Sequence, residues 1–470
     1  MKSNEPINLS TVFMLCLILL GIGLRILGID NPPFDHHHIR QADTTSIAML
    51  MQHHPKNFLW PKIGWAGAGG GLVESELPLY SALTAAGWQI LPESGPIWPR
   101  TLSIVSWLFG GLGLYHWTRT RIKGAMWPHL LLYALSPIAI ITSRNVQPDS
   151  LALALLIWGF ALIDRPKVST VQVILGGAIT GLGIAAKGQY FVFLPMIPIL
   201  MWWHKASSRA PFFHIGLCTG IALTLPALWY AHAHFNLAIN GATFGVFGAN
   251  AQKWGSPELW TDSKTWMVLG GMAIKHVLTP LGTGLTVFAF FMRDSSHRPF
   301  WLGCGFAVLS WGILTHGHLL HNYYQLPLVP FASILIGYGL KAVWTQQQKG
   351  MFILGLILLL FSAVESRRFV LQALKIDETI MAQASEINDI LPPKVPIVLV
   401  TTHPQTVLFA SGRTGAIANR HDPSRTSDYA EMGLRYAVIH KDHFRKTDWT
   451  NGDAFKAHGQ WWVHEISAIE

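Results

Sequence analysis

The densest run of chemically versatile side chains is Asp35-His36-His37-His38-Ile39-Arg40-Gln41-Ala42-Asp43-Thr44. Glu74 and Glu76 follow in Val-Glu-Ser-Glu-Leu-Pro-Leu-Tyr, and Arg144-Asn145-Val146-Gln147-Pro148-Asp149 forms a second polar run. Lys187-Gly188-Gln189 and the group His316, His318, His321, Tyr323 and Tyr324 complete the set. A carboxylate can act as general base toward an acceptor hydroxyl. Arginine and lysine can stabilise the charge that develops on a departing phosphate. The inventory suits transfer of a group from a lipid phosphate, with apolar grooves between helices to hold a polyprenyl tail.

Such residues need elements that position them. The chain has 470 residues, of which 50% are hydrophobic and only 13% charged, about half the charged fraction of soluble domains. That balance speaks against a nucleic-acid binder, whose basic residues must cluster on a polar face. It points to a polytopic membrane protein. Residues 9–29 read as an uncleaved anchor, because no small-residue cleavage site follows them. Further apolar segments lie near 98–118, 126–142, 149–163, 171–186, 189–203, 212–232, 277–292, 299–317, 325–343 and 350–365, which gives about eleven transmembrane helices.

Short-loop cations set the expected orientation. Arg119, Arg121, Lys123, Arg165, Lys167, Lys205, Arg209, Arg293, Arg298, Lys341 and Lys349 all follow even-numbered spans, on the side of Lys2 and the N-terminus. That side is expected to be cytoplasmic. Set against Glu5, Asp164 and Asp294, these cations account for the formal charge of +9. The polar groups named above then share the outer surface. Two outer loops are long, 30–97 and 233–276, and connections of that length are usually functional or disordered. Trp60, Trp65, Trp88, Trp98, Trp254, Trp260 and Trp266 suit an interfacial layer of short helices. Residues 1–365 read as the membrane domain. Residues 366–470, with 12 basic and 12 acidic side chains, read as a small soluble α/β domain outside the membrane. Pro396 to Thr401 and Tyr436 to Ile439 are expected strands, and Gln405 to Ser411 is an expected helix. Cys16, Cys218 and Cys304 lie in apolar runs and imply no disulfide framework.

The residues also resemble a family. The run His37 to Ala48 looks like the His-x-Trp-Arg-Gln-Ala-Asp-Thr first-loop motif of bacterial family 39 glycosyltransferases, with Ile39 at the aromatic position. These belong to the GT-C superfamily, with the protein O-mannosyltransferases and the lipid A aminoarabinose transferase. Glu76-Leu-Pro-Leu-Tyr80 resembles their Glu-Phe-Pro-Leu-Tyr element, and Ser143-Arg144-Asn145 with Pro148-Asp149 their Ser-Arg-x-x-x-Pro-Asp. Lys187 resembles the lysine after span five, and His321 to Pro327 their His-x-Tyr-Tyr-x-Leu-Pro. The match runs in order through most of 1–345. The resemblance implies an all-α polytopic GT-C fold with a periplasmic active site in the bacterial inner membrane. It implies an inverting transferase using a polyprenyl-phosphate sugar. By that likeness Asp43 is the first candidate for the catalytic carboxylate and Asp35 the second, while Arg40, Arg144 and Lys187 are candidates for the donor phosphate. Better-studied members open this loop with an Asp-Glu pair where this chain has Arg-Gln or His-His.

Each candidate also has a structural reading. Asp43 would begin a helix expected from Ala42 to Met51, where an acid favours the dipole. Asp149 follows Pro148 at a first helical turn and could pair with Arg144. Lys187 could snorkel from a span end, as could Arg25. His321 could contact donor phosphate or sit in the interface, with Tyr323 and Tyr324 beside it in support. Glu76 is a candidate for acceptor or metal, whereas Glu74 is expected to be solvated. His36 and His38 have the ligand types for acceptor or divalent metal binding, but adjacent histidines cannot all point one way, so metal dependence stays open. The leading expectation is a glycosyltransferase whose partners are membrane lipid, a lipid-linked sugar donor and an extracytoplasmic lipid, glycan or protein acceptor. The alternative is a transporter or flippase of lipid-linked or anionic solutes, which would place ionisable groups nearer the midplane. A third is a scaffold with a periplasmic interaction domain.

Overall fold

The computed structural model describes residues 9–122, 126–204, 211–240, 242–244, 253–291, 295–344, 348–418, 426–443 and 455–466. The orientation signals at Lys2, Glu5, Lys123, Lys205, Arg209, Arg293 and Asp294 lie outside the described residues. The chain divides into two compact units. The first comprises Met1–Ile29, Pro99–Ala231 and Ala249–Leu374, and the second Asp30–Trp98, His232–Gly248 and Lys375–Glu470.

The first unit is built of helices, with no strand among its described residues. Apolar runs become the helices Leu9–Ile26, Asp149–Ile163, Thr170–Ala186, Arg298–Ile313 and Leu328–Trp344, close to the expected segments. The helix breaks at Pro137, whereas Pro226 lies inside the helix Pro211–Asn240. Segment 126–142 is two helices, Trp127–Leu135 and Pro137–Thr142, because Ser136 before Pro137 adopts ψ 129°. Ser169 caps Thr170–Ala186 with a reciprocal capping box to Gln172. Helix Asp149–Ile163 packs closely on Thr170–Ala186, and a Cβ at Gly159 would lie 2.0 Å from Thr180 Oγ1. Two helical stretches, Phe212–Asn236 and Ser263–Phe291, are long and apolar enough to cross a membrane, and only 22% of the most apolar 18-residue window in each is buried. Phe212, Leu228, Phe235, Met267 and Phe291 are among their exposed side chains.

The orientation cation Arg121 has a carboxylate partner. Asp164, fully buried, is paired with Arg121, accepts from Trp117 Nε1 at 2.6 Å, and lies 3.1 Å from His204 Nε2. The carboxylate thus draws together the ends of three helices.

The second unit is built on a six-stranded sheet. Its order is Ala66–Gly67, Gly415–Ile417, Ile397–Val400, Tyr436–His440, Trp461–Glu465, Lys456–His458. Ile397–Val400 pairs in parallel with both Gly415–Ile417 and Tyr436–His440, and the remaining pairs are antiparallel. The central strand is apolar at every position because both faces are covered. Ile397 and Leu399 join one core with Phe34, Ile380, Ile387 and Val407, whereas Val398 and Val400 join another with Tyr429, Leu434 and Phe455. Helix Pro404–Ala410 occupies the segment expected to be helical.

Two expectations are corrected here. The first long loop is more than a layer of short surface helices. Its Ala66–Gly67 pairs with Gly415 and Ala416, so it supplies an edge strand to the tail sheet. The composition break near Glu365 falls inside the helix Gln348–Ala373, and the second unit resumes only at Lys375. Charge density rises before that helix ends, so composition marks the break about two turns early.

Close strand approach at Gly415 has a measurable consequence. A Cβ there would sit 1.8 Å from the Ile397 carbonyl oxygen. Gly415→Ala is expected to destabilise the sheet by about 1–3 kcal/mol, the usual cost of overpacking. Limited proteolysis of the tail across a temperature series reads this, and unchanged protection would count against the parallel pairing.

Candidate active site

In the second unit His38, Arg40 and Asp43 are carried by the helix His38–His53, with Asp35 and His36 just before it. It starts at His37, whose φ of 61° is left-handed, a conformation histidine tolerates better than most residues. The helix begins four residues earlier than expected, so Asp43 lies in its second turn. A role for Asp43 as a first-turn dipole partner is thereby set aside. Asp43 is only 7% exposed and accepts a hydrogen bond from Trp65 Nε1 at 2.8 Å. Burial pushes its carboxyl up to about 6, and the Trp65 bond and nearby Arg40 oppose that rise. Trp65, expected in an interfacial layer, is this carboxylate's hydrogen-bond donor.

Around Asp43 the loop is held by local polar contacts. Gln41 Nε2 donates to Asp35 Oδ1 at 2.6 Å and to the His36 carbonyl at 2.8 Å, which fixes buried Asp35 just before the helix. Gly64 N donates to Ser46 Oγ at 3.0 Å. Arg40 forms an ion pair with Glu76, and its guanidinium lies 4.8 Å from the Phe244 ring centroid. Glu76 and Arg40 are therefore half-buried partners. Glu74 is corrected from solvated to fully buried. It hydrogen-bonds Thr243 Oγ1, and its backbone exchanges bonds with Ala242 and Phe244. His36 packs against His37 with ring centroids 4.0 Å apart, while His38 turns toward His403 at 4.6 Å. The three adjacent histidines thus do not all point one way. Burial, then His403, hold His38 down at about 4.

In the first unit the loop Ser143–Asp149 is buried along its whole length. Arg25 is not a snorkelling cation. It is fully buried, donates to Ser143 Oγ at 2.5 Å and to the carbonyls of Gly21 and Ala134 at 2.9 Å, and lies over the Trp107 ring. Arg100 donates to the Arg144 carbonyl at 3.2 Å, Ser103 to that of Asn145 at 2.7 Å, and Arg144 itself to that of Gly28 at 2.8 Å. Arg100 was missed in the sequence because it stands alone in an apolar segment.

Lys187 is likewise buried rather than snorkelling, with 2% exposure. It follows the helix Thr170–Ala186 in extended conformation and places Nζ 3.4 Å from Asp149 Oδ1. The same ammonium lies 4.9 Å from the Tyr323 ring centroid and 5.7 Å from that of Tyr324. His321 stacks on both tyrosines, at 5.1 Å and 5.7 Å. Asp149, Tyr323 and Tyr324, from two segments far apart in sequence, thus lie around one buried cation, a setting in which electrostatic contacts are much stronger than in water.

No known family profile matches the chain, and no curated protein matches it. Solved structures do. ArnT from Cupriavidus metallidurans in the apo state superposes with TM-score 0.67 at 13% identity, over 98% of this chain and 99% of that one. The same protein bound to undecaprenyl phosphate gives 0.65 at 15% identity, over 97% and 98%. The archaeal oligosaccharyltransferase AglB from Archaeoglobus fulgidus, in complex with an inhibitory peptide and a dolichol-phosphate, gives 0.58 at 11% identity, over 92% and 69%. A helical unit accompanied by a small α/β unit, superposing end to end on ArnT, identifies the architecture of this chain as the GT-C fold.

Proposed function

We propose that the protein is a multi-pass inner-membrane glycosyltransferase, which moves a sugar from a polyprenyl-phosphate carrier to a hydroxyl of an extracytoplasmic acceptor. The observation that carries this reading is the likeness to ArnT along the full length of both chains. The exposed apolar helices support a membrane setting, because contiguous apolar surface of this kind needs a non-aqueous neighbour. Sites of this chemistry require a base and a phosphate-holding cation. Asp43, with Asp35 second, is the base that deprotonates the acceptor, and Lys187 and Arg144, with Arg40 and His321, hold the donor phosphate. Direct attack of the acceptor on the anomeric carbon inverts its configuration. Glu76 keeps Arg40 in place and is the candidate contact for the acceptor. Asp149, Tyr323 and Tyr324 hold Lys187.

Reconstituted protein tests this reading. Vesicles loaded with a labelled polyprenyl-phosphate sugar are expected to yield a glycosylated acceptor and free polyprenyl phosphate. Movement of labelled solute across the bilayer without transfer would reverse it in favour of transport.

The raised Asp43 carboxyl gives the pH dependence a sign. A base must be ionised to work, so transfer is expected to rise with pH through about 6. Trp65→Phe removes a hydrogen bond that favours the ionised form. The acidic limb of the profile should then move to higher pH. A limb that stays in place in this variant would count against Asp43 as the titrating base.

A further inference from the structure

One cluster of ligand-type side chains lies outside the residues assigned to transfer. His38 opens the first-loop helix, Asp377 caps the helix Glu378–Ile390, and His403 precedes the helix Pro404–Ala410. One ligand atom from each lies within 4.8 Å of the others, and all three residues are half-buried. We propose that His38, Asp377 and His403 form a divalent-metal site that ties the first loop to the tail, and that zinc is the ion that fits it.

The chemistry of the donor set selects the ion. Two imidazoles and one carboxylate suit zinc, whereas calcium and magnesium prefer an all-oxygen shell. A zinc ion bound at ~2.1 Å in tetrahedral geometry needs ligand atoms roughly 3.4 Å apart. Binding therefore draws these three inward by about 1 Å, a range that side-chain rotation covers, and a water fills the fourth position.

Supporting contacts already orient the ligands. His38 Nδ1 is 2.9 Å from Thr406 Oγ1, so with its proton on Nδ1 the ring offers Nε2 to a metal. An outer hydrogen bond of this kind fixes the tautomer of metal-binding histidines. Asp377 Oδ1 accepts from Thr379 N at 3.0 Å and from Thr379 Oγ1 at 2.6 Å, which leaves Oδ2 for a metal. The Asp377 backbone N–H donates to the Phe34 carbonyl at 3.2 Å, next to the loop that carries His38. A metal here would close loops of several hundred residues and fix the N-terminal end of the helix that bears Arg40 and Asp43. The site stands whether or not the protein is a glycosyltransferase.

Zinc binding to the full-length detergent-purified chain tests the proposal. After chelator treatment, competition of ZnCl2 against a chromophoric chelator is expected to give one tight site per chain. His458→Ala, which removes an exposed histidine of the same unit, should bind like the parent. His403→Ala should weaken zinc by at least about 100-fold. Thr406→Val keeps all three ligands and should weaken it by about tenfold, the lower end of what loss of an outer partner costs. Cobalt(II) should give intense tetrahedral absorption bands in the parent and not in His403→Ala. Thr406→Val decides the matter if His403→Ala does not fold. No tight site in the parent, or unchanged affinity in the folded variants, would overturn the proposal.

Discussion

Asp43→Asn is expected to lower transfer by about 10²–10⁴-fold, the usual contribution of a positioned base, while leaving donor binding and folding intact. The folding half of this expectation follows from the sign of the shift. A carboxyl raised from 3.8 to about 6 by burial is favoured in its protonated form by the fold. Its effect on stability is nil below the unfolded value and turns unfavourable as pH rises from about 4 to 6, by about 3 kcal/mol in all. Asparagine carries no charge and keeps an oxygen for the Trp65 indole N–H. The variant should therefore melt no lower than the parent at pH 7, and higher if the full cost is relieved. A structural carboxylate would behave in the opposite way, with stability lost and activity falling only in proportion. Asp35→Asn is the companion experiment. Asp35 is held by Gln41 rather than by an indole, so its replacement tests which carboxylate is the base. Full transfer in both variants would sink the assignment of either.

The second large effect concerns Lys187. Lys187→Met is expected to raise the donor dissociation constant by about two orders of magnitude, equivalent to about 3 kcal/mol. It should also destabilise the first unit by about 3–5 kcal/mol, because it deprives the buried Asp149 carboxylate of its cation. The two losses can be separated. Lys187→Met with Asp149→Asn removes both charges, so stability should return while donor binding stays weak. Recovery of both properties in the double variant would assign Lys187 to structure alone. Its contacts with Tyr323 and Tyr324 predict a smaller effect for Tyr324→Leu, which keeps the ion pair.

The pattern of what was legible in the sequence follows from the range of the interactions. Helices such as Asp149–Ile163 and Thr170–Ala186 are set by local composition and by Pro148 and Ser169 at their starts, so their bounds can be read directly. The central strand Ile397–Val400 was visible because only a strand covered on both faces is apolar at every position. The polar residues could be singled out by type, but not their partners. Trp65 reaches Asp43 from 22 residues away, and Thr243 reaches Glu74 from 169 away. Asp377 and His403 lie in the tail, far from His38 in sequence. Arg25 and Lys187 were open to a snorkelling reading because sequence gives depth along a helix but not the face. Arg25 turns toward Ser143 and Trp107, and Lys187 toward Asp149. Glu74 and Glu76 share a face when extended, yet Thr243 binds one and Arg40 the other.

The central claim is that a lipid-phosphate sugar is the substrate, and mass spectrometry of the lipid that co-purifies with the chain tests it most directly. The account predicts polyprenyl phosphate or its sugar ester, retained by the parent and by Asp43→Asn and lost from Lys187→Met with Asp149→Asn. Bulk phospholipid alone, with no polyprenyl phosphate in any of the three preparations, would contradict it.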